Sequence, residues 1–244
     1  FIRSKSNWAT RIVSGGVLLL LVSSHYLQFS PVEFVNNGDV GLVGWRWRWV
    51  DPDRQLTANA EQSKVQLDWQ TTDRDYPRFL GDGHWAEAKS VQLDPDWQSK
   101  APQLIWKQRI GAGWSAFAVV GKYAITQEQR GEQEMVTCYD IDDGTLAWSH
   151  SDNVRFDPRG GGSLGGVGPQ ATPTVHDGRV YTHGATGIVN CLDARTGELL
   201  WSCDTGTTFG VETLLWGEAA SPLIVGNMVV VSIGDATANV SDIT

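Results

Sequence analysis

"CLDARTGELLW", Cys191–Trp201, and "CYDIDDGTLAW", Cys138–Trp148, carry Cys, Asp, Gly, Leu and Trp at the same offsets. Each reads as the end of one short strand, a tight turn and the start of another strand that closes on a tryptophan. The turn has a physical logic. A carboxylate at Asp193 accepts backbone N–H groups two or three residues on, and Gly197 takes the positive φ that lets the chain reverse. Cys138 with Asp140, Gly144 and Trp148, and Cys191 with Asp193, Thr196, Gly197 and Trp201, are therefore structural repeat positions. The tryptophan is expected to pack its ring against a neighbouring unit while its indole N–H finds a carbonyl. The small Cys138 and Cys191 are expected to leave room for such a ring from the next unit.

Aligning the two hairpins brings the flanking sequence into register. "SAFAVVGKYAITQEQRGEQEMVTCYD", Ser115–Asp140, leads into the first hairpin, and "ATPTVHDGRVYTHGATGIVNCLD", Ala171–Asp193, into the second. After Trp201 the series resumes with "ASPLIVGNMVVVSIGD", Ala220–Asp235. Each unit reads as four short strands, with turns at Gly121–Lys122, Asp177–Gly178 and Gly226–Asn227. Units of about 50 residues with four strands each are the signature of β-propeller blades. The fold class is all-β: a propeller of four-stranded antiparallel blades. Upstream, "PQLIWKQRIG" supplies a last strand alone, with Trp106 at the repeat's tryptophan place. That makes about two full blades plus parts of two others. A propeller needs at least four blades to close, so the chain is expected to be a fragment of a longer protein, continuing beyond Thr244.

Composition narrows the function classes. With Lys+Arg 19 against Asp+Glu 28, the net charge of -9 opposes attraction to a phosphate backbone, and no nucleic-acid partner is expected. Twelve Trp and 27 Gly against two Met suit a turn-rich β protein that packs with rigid aromatics. The three Cys form no CxxC pair and no zinc spacing, and no metal site is expected from them.

Residues 1–30 contain the apolar run "IVSGGVLLLLVSSHYL", Ile12–Leu27, preceded by Arg3, Lys5 and Arg11. Length and flanking charge point to a membrane anchor or a last transmembrane helix, with the propeller extracytoplasmic, while the shortness of the run, with His25 near its end, leaves a cleaved signal or a buried core segment as alternatives. Residues 31–78 read as a strand-containing linker region. Within it "GWRWRWV" alternates Trp45, Trp47 and Trp49 with Arg46 and Arg48, the pattern of an amphipathic strand. The propeller is placed at 79–244.

The pattern small-x-Asp-x-x-Thr-Gly-x-x-x-Trp resembles the tryptophan-docking motif of the pyrroloquinoline-quinone (PQQ) repeat family. Cys191–Trp201 matches it closely, and Cys138–Trp148 departs from it with Asp143 in place of Thr. "RFLGDGHW" also looks like the membrane-anchored, extracytoplasmic branch of these propellers. The family includes quinoprotein alcohol dehydrogenases and the propeller lipoprotein of the outer-membrane barrel-assembly machinery. The resemblance implies two functions: a periplasmic binding or scaffold module, or a dehydrogenase of alcohols or sugars that carries PQQ and calcium. The dehydrogenases' adjacent Cys–Cys pair, calcium ligands and catalytic Asp have no counterpart in this sequence. No catalytic residue is therefore assigned, and PQQ and calcium are left to the full-length protein.

Alternating strand directions put the tight turns on one face and the bend "QEQRGEQE" with the crossings 151–171 and 204–220 on the other. Long irregular loops on a rigid scaffold are where binding resides, so the second face is the candidate ligand face. Its candidates are Trp114, Gln127, Glu128, Arg130, Arg155, Arg159, Trp216 and Glu218, facing a protein or glycan partner. "RGGGSLGGVGP", Arg159–Pro169, spaces its glycines like a dinucleotide fingerprint, but without the flanking strand and helix it reads as a blade crossing.

Overall fold

The computed structural model describes residues 16–19, 32–36, 42–47, 66–83, 85–88, 92–158 and 166–234. The chain divides into two compact units, 1–52 and 53–244. In the first, β1 (Val32–Asn36) pairs antiparallel with β2 (Leu42–Trp47), with Phe34 opposite Trp45. The expected strand at "GWRW" is thus present, while Arg48 and Trp49 lie outside the described residues. So does most of the apolar run 12–27, of which residues 16–19 are helical. Among the described residues no helix is long and apolar enough to cross a membrane.

The second unit is a β-propeller segment. The first blade orders β3 (Ala118–Val120), β4 (Tyr123–Arg130), β5 (Gln133–Asp140) and β6 (Leu146–Asp152) as neighbours in an antiparallel sheet. The second repeats the order with β7 (Thr174–His176), β8 (Arg179–His183), β9 (Ile188–Asp193) and β10 (Leu199–Asp204). A short helix, Thr205–Phe209, follows. Then β11 (Leu223–Val225) and β12 (Met228–Val230) begin a third blade.

The repeated hairpin behaves as its residues require. Asp193 Oδ1 accepts the backbone N–H groups of Arg195 at 2.8 Å and Thr196 at 3.1 Å, and Gly197 sits at φ 70°. In the upstream copy Asp140 Oδ1 accepts only the Asp142 N–H, at 2.8 Å. Asp143, the departure from the repeat, instead accepts both the N–H and the hydroxyl of Thr145, at 2.9 and 2.7 Å. Asp143 thus makes the contact that Thr196 makes in the downstream copy, where its hydroxyl oxygen accepts the Glu198 N–H at 3.2 Å, and the turn is kept.

Each tryptophan locks onto the next hairpin. Trp148 is 1% exposed, donates its indole N–H to Ala194 O at 3.0 Å and covers Gly197, where a Cβ would lie 2.6 Å from the ring. Trp106 repeats this one blade earlier, donating to Ile141 O at 2.8 Å and covering Gly144. Cys138 and Cys191 are fully buried, each opposite its own blade's tryptophan across the β5–β6 and β9–β10 ladders. The room they leave therefore serves the ring of the same blade. Around Trp148 the core joins the two blades through Ile125, Val136, Val180 and Leu192, and Tyr181, Cys191 and Val229 join the second to the third.

Two placements differ from the sequence reading. Residues 102–110, read as an outer strand, form no ladder among the described residues, because an outer strand needs an inner neighbour to take its N–H and C=O groups. Residues 66–78, read as linker, pack into the propeller. Trp69 stacks on Tyr123 with ring centroids 5.6 Å apart and belongs to the inter-blade core. Downstream, Tyr76 exchanges two 2.8 Å backbone bonds with Val119 of β3, and Pro77 O accepts Val175 N of β7 at 2.7 Å. Polar composition concealed this strap because its hold on the blades is mostly backbone pairing, to which side-chain hydropathy is blind.

Candidate functional site

The strand directions put the hairpin turns on one face and the bends at Gly131–Glu132 and Gly184–Gly187, with the long blade crossings, on the other. The sequence "QEQRGEQE" predicts a loop around Gly131. Instead β4 and β5 run unbroken to Arg130 and Gln133, paired opposite each other, with Gly131 at φ 56° making a two-residue turn. Gln127, Glu128 and Arg130 are strand residues and not loop residues. Their polar side chains serve buried acceptors and donors, which is why their composition mimics a loop.

Gln127 is 3% exposed and donates to Ala171 O at 2.6 Å, tying the first blade to the crossing that starts the second. Glu128 is wholly buried and accepts from the Gly111 N–H, from Arg130 Nη2 at 3.0 Å and from the Tyr139 hydroxyl at 2.7 Å. Burial, followed by the charge of Glu128, pushes the Tyr139 phenol above its ordinary range. Arg155 donates to Gly131 O at 2.6 Å and pairs with Asp157 at 3.2 Å. Glu218 is 3% exposed and accepts the Gly234 N–H at 3.2 Å. Arg159 lies outside the described residues. Of the eight candidates, the five other than Arg159 and the two tryptophans are thus bound up in the scaffold.

Trp114 and Trp216 remain open, at 55% and 51% exposure. Both are held by the same short piece of the blade crossing. Trp114 N donates to Pro169 O at 2.8 Å, and the Gln170 side-chain amide donates to Trp216 O. Next to Trp216 the segment "TLLWG" exposes Leu214 and Leu215, the latter at 57%. Its backbone is fixed: Gly217 N closes a turn on Leu214 O and Glu218 N bonds Ala185 O, both at 2.9 Å. Leu214 and Leu215 escaped the sequence reading, although an apolar triplet inside a Gly- and Glu-flanked crossing is the signal that marks them.

Behind this surface lies a polar seam between the first two blades. Glu134, opposite Asp152 across the β5–β6 ladder, is 4% exposed and accepts the Ala185 N–H at 3.1 Å. Desolvation by burial pushes its carboxyl up to about 7; the Ala185 N–H opposes that and Asp152 adds to it. Asp152 accepts from Asn190 Nδ2 at 2.6 Å, with His150 Nε2 at 3.5 Å. His183, wholly buried and within 3.0 Å of Ala220 O, is pulled below its usual range by burial.

The quinone and calcium implied by the resemblance find no fit among the described residues. Calcium takes six to eight oxygen ligands, and among the described residues no group of three or more His, Cys, Asp or Glu stands close enough to hold a metal ion. A polycarboxylate quinone needs cations facing open space, whereas Arg130 and Arg155 on this face are committed to Glu128 and Asp157. The free cysteines Cys138, Cys191 and Cys203 are not adjacent, and Cys138 is buried with its thiol pushed up by desolvation.

Comparison with known proteins agrees with the architecture. Residues 132–243 match the family model described as outer membrane protein assembly factor BamB, of the PQQ repeat type. No curated protein matches the chain. Among solved structures it is similar to a europium-containing methanol dehydrogenase, at 15% identity and TM-score 0.53, covering 67% of this chain and 28% of that one. A quinohemoprotein alcohol dehydrogenase from Comamonas testosteroni matches at 18% identity and TM-score 0.48, over 78% of this chain and 27% of that one. BamB from Moraxella catarrhalis matches at 19% identity and TM-score 0.29, over 50% and 42%. The chain thus spans less than half the length of each. The repeated hairpins and the two four-stranded blades are those of a β-propeller, and residues 132–243, a little under half of the chain, match the PQQ-repeat family model.

Proposed function

We propose that this chain is a binding module that presents the crossing face of its propeller to a protein partner. The observation that carries this reading is the exposed set Trp114, Leu214, Leu215 and Trp216, held on a hydrogen-bonded frame. Large apolar side chains kept in water on a fixed backbone cost little entropy to bury again, and aromatic residues dominate binding energy at interfaces. Aliphatic Leu214 and Leu215 beside the tryptophans favour a protein over a glycan, because sugars stack on aromatic rings and gain little from leucine. The extracytoplasmic, membrane-anchored location is part of the proposal, supported by the hydropathy and flanking charge of residues 12–27.

The test is site-specific photocrosslinking in the native cell, with the crosslinker at Leu215 or Trp216 and a control at Lys122 on the hairpin face. A defined protein adduct from the crossing face alone is expected. Adducts of equal yield from Lys122 would defeat the proposal. So would specific glycan binding by the purified chain, or alcohol-dependent dye reduction after incubation with PQQ and calcium.

A further inference from the structure

The seam behind the patch contains a buried acid that the binding surface does not use directly. Glu134 and Asp152 are cross-strand partners on the blade face that packs against the second blade. Opposed residues in a ladder hold their Cβ atoms about 5 Å apart, so two carboxylates there repel in a poorly solvated space. Among the described residues, several elements surround Glu134. From β6 come Asp152 and His150, and from β4 the neutral Gln129 opposite it. From β9 comes Asn190, which bonds Asp152, and from the Gly184–Gly187 bend the Ala185 N–H. Beyond that bend stand Glu218 and His183, and Arg155 is engaged with Asp157 and Gly131. Among the described residues the basic group facing the pair is the imidazole of His150, on the Asp152 side at 3.5 Å, and no Lys or Arg is paired with Glu134. Gly184 has no room for a Cβ against the Glu134 carboxyl, so the bend is seated directly on the acid.

A short run of contacts leads from the acid to the patch. Glu134 holds the Ala185 N–H, Ala185 O holds Glu218 N, and Glu218 follows Gly217 and Trp216. Gly217, at φ 76°, packs on Phe156 and against Ala185 O, so the turn that aims Trp216 rests on the same bend.

We propose that Glu134 is a proton-binding element of the seam between the first two blades, and that its ionisation loosens the bend at Ala185 and the Trp216 turn seated on it. The proposal rests on the binding reading for its consequence: partner binding, which requires the ordered turn, takes up a proton near neutral pH.

The sign follows from the acid's position. Burial raises its folded pKa to about 7, well above its unfolded value, so the closed seam holds the proton more tightly than the open one. Closure is favoured at low pH and weakens as pH rises through the folded pKa. With an open-state value near the ordinary carboxylate range, opening becomes about tenfold more frequent between pH 6 and pH 8.

Hydrogen exchange of the full chain, corrected for intrinsic rate, reads this directly at amides 184–188 and 211–218. A roughly tenfold gain in exchange between pH 6 and pH 8 is expected in the natural protein, and a flat profile in Glu134→Gln. Asp152→Asn, which removes the like charge, moves the midpoint to lower pH. Should Glu134→Gln fail to fold, the natural protein still tests the idea by infrared spectroscopy, where a buried protonated carboxyl band should disappear with a midpoint near 7. A flat exchange profile, an unmoved midpoint in Asp152→Asn, or no such band overturns the proposal. The binding reading fails separately. If Trp216 is not a contact, crosslinking is lost while the pH step in exchange persists, including in Trp114→Ala/Trp216→Ala.

Discussion

On the hairpin face Trp148 is 1% exposed and gives its indole N–H to Ala194, whereas on the crossing face Trp216 is 51% exposed and is bonded only through its backbone carbonyl, to Gln170. One residue type serves opposite ends. At the hairpins a ring is spent covering a glycine of the next blade, and the repeat of Asp, Gly and Trp exists to make that contact possible. At the crossings the backbone is held by other groups, which leaves the ring free. Residues whose side chains are consumed by the scaffold are therefore the wrong place to seek a ligand.

The largest effect should come from breaking the hairpin lock. Trp148→Ala removes a fully buried ring and strands Ala194 O, and is expected to cost about 4 kcal/mol in chemical denaturation. Trp148→Phe keeps most of the packing and loses the hydrogen bond, so it should cost clearly less. If the two variants were equally destabilised, the ring's packing would not be what joins the blades.

Next in size is the pH dependence of global stability. Glu134 has a folded pKa of about 7 against an ordinary value of 4.5, so its contribution is fully present below the unfolded value and is lost as pH rises through 7. The loss amounts to about 3 kcal/mol between pH 4.5 and pH 8. Glu134→Gln should abolish that part of the slope and be the more stable protein at pH 8, as urea midpoints at several pH values will show.

Smaller effects test the turn itself. Gly197→Ala forces a side chain onto φ 70° and into the Trp148 ring, for a cost of about 2 kcal/mol. Asp193→Ala removes the acceptor of two backbone N–H groups, for about 1 kcal/mol, and Asp143→Ala, on an exposed turn, should cost less. Equal costs at Asp193 and Asp143 would mean that the Asp193 turn contributes no more than the contact Asp143 makes at the Thr196 place of the repeat.

The repeat was legible because its residues act locally. Asp193 bonds amides two and three residues ahead, and Gly197 answers to its own φ, so spacing alone reveals them. The strap at Asp75–Pro77 and the seam at Glu134 were not legible, since their partners, Val119, Val175, Ala185 and Asp152, lie far away in sequence. Gln127 and Glu128 misled for a related reason. A buried strand that must satisfy loop carbonyls and a neighbouring N–H is as polar as a loop, and only the ladder to Val136 and Met135 distinguishes them. On the candidate face the exposed Trp114 and Trp216 were readable as aromatic residues in crossings, while Leu214 and Leu215 depended on knowing which side of the crossing stays in water.

The smallest effect on stability is expected where the effect on binding is largest. Leu215→Ala and Trp216→Ala remove side chains that water already surrounds and leave Gln170, Gly217 and Glu218 their backbone bonds, so each should change stability by no more than about 0.5 kcal/mol. If these side chains are interface anchors, the same substitutions lower partner affinity by tenfold or more, about 1.4 kcal/mol or above. Measured together on one protein, the two numbers separate the faces: Trp148→Ala should destabilise the blades by about 4 kcal/mol, and Trp216→Ala should leave a folded module that binds its partner at least about tenfold more weakly. A Trp216→Ala protein as unstable as Trp148→Ala would show that the crossing tryptophan is also part of the scaffold, and the binding surface would have to be sought elsewhere on the chain.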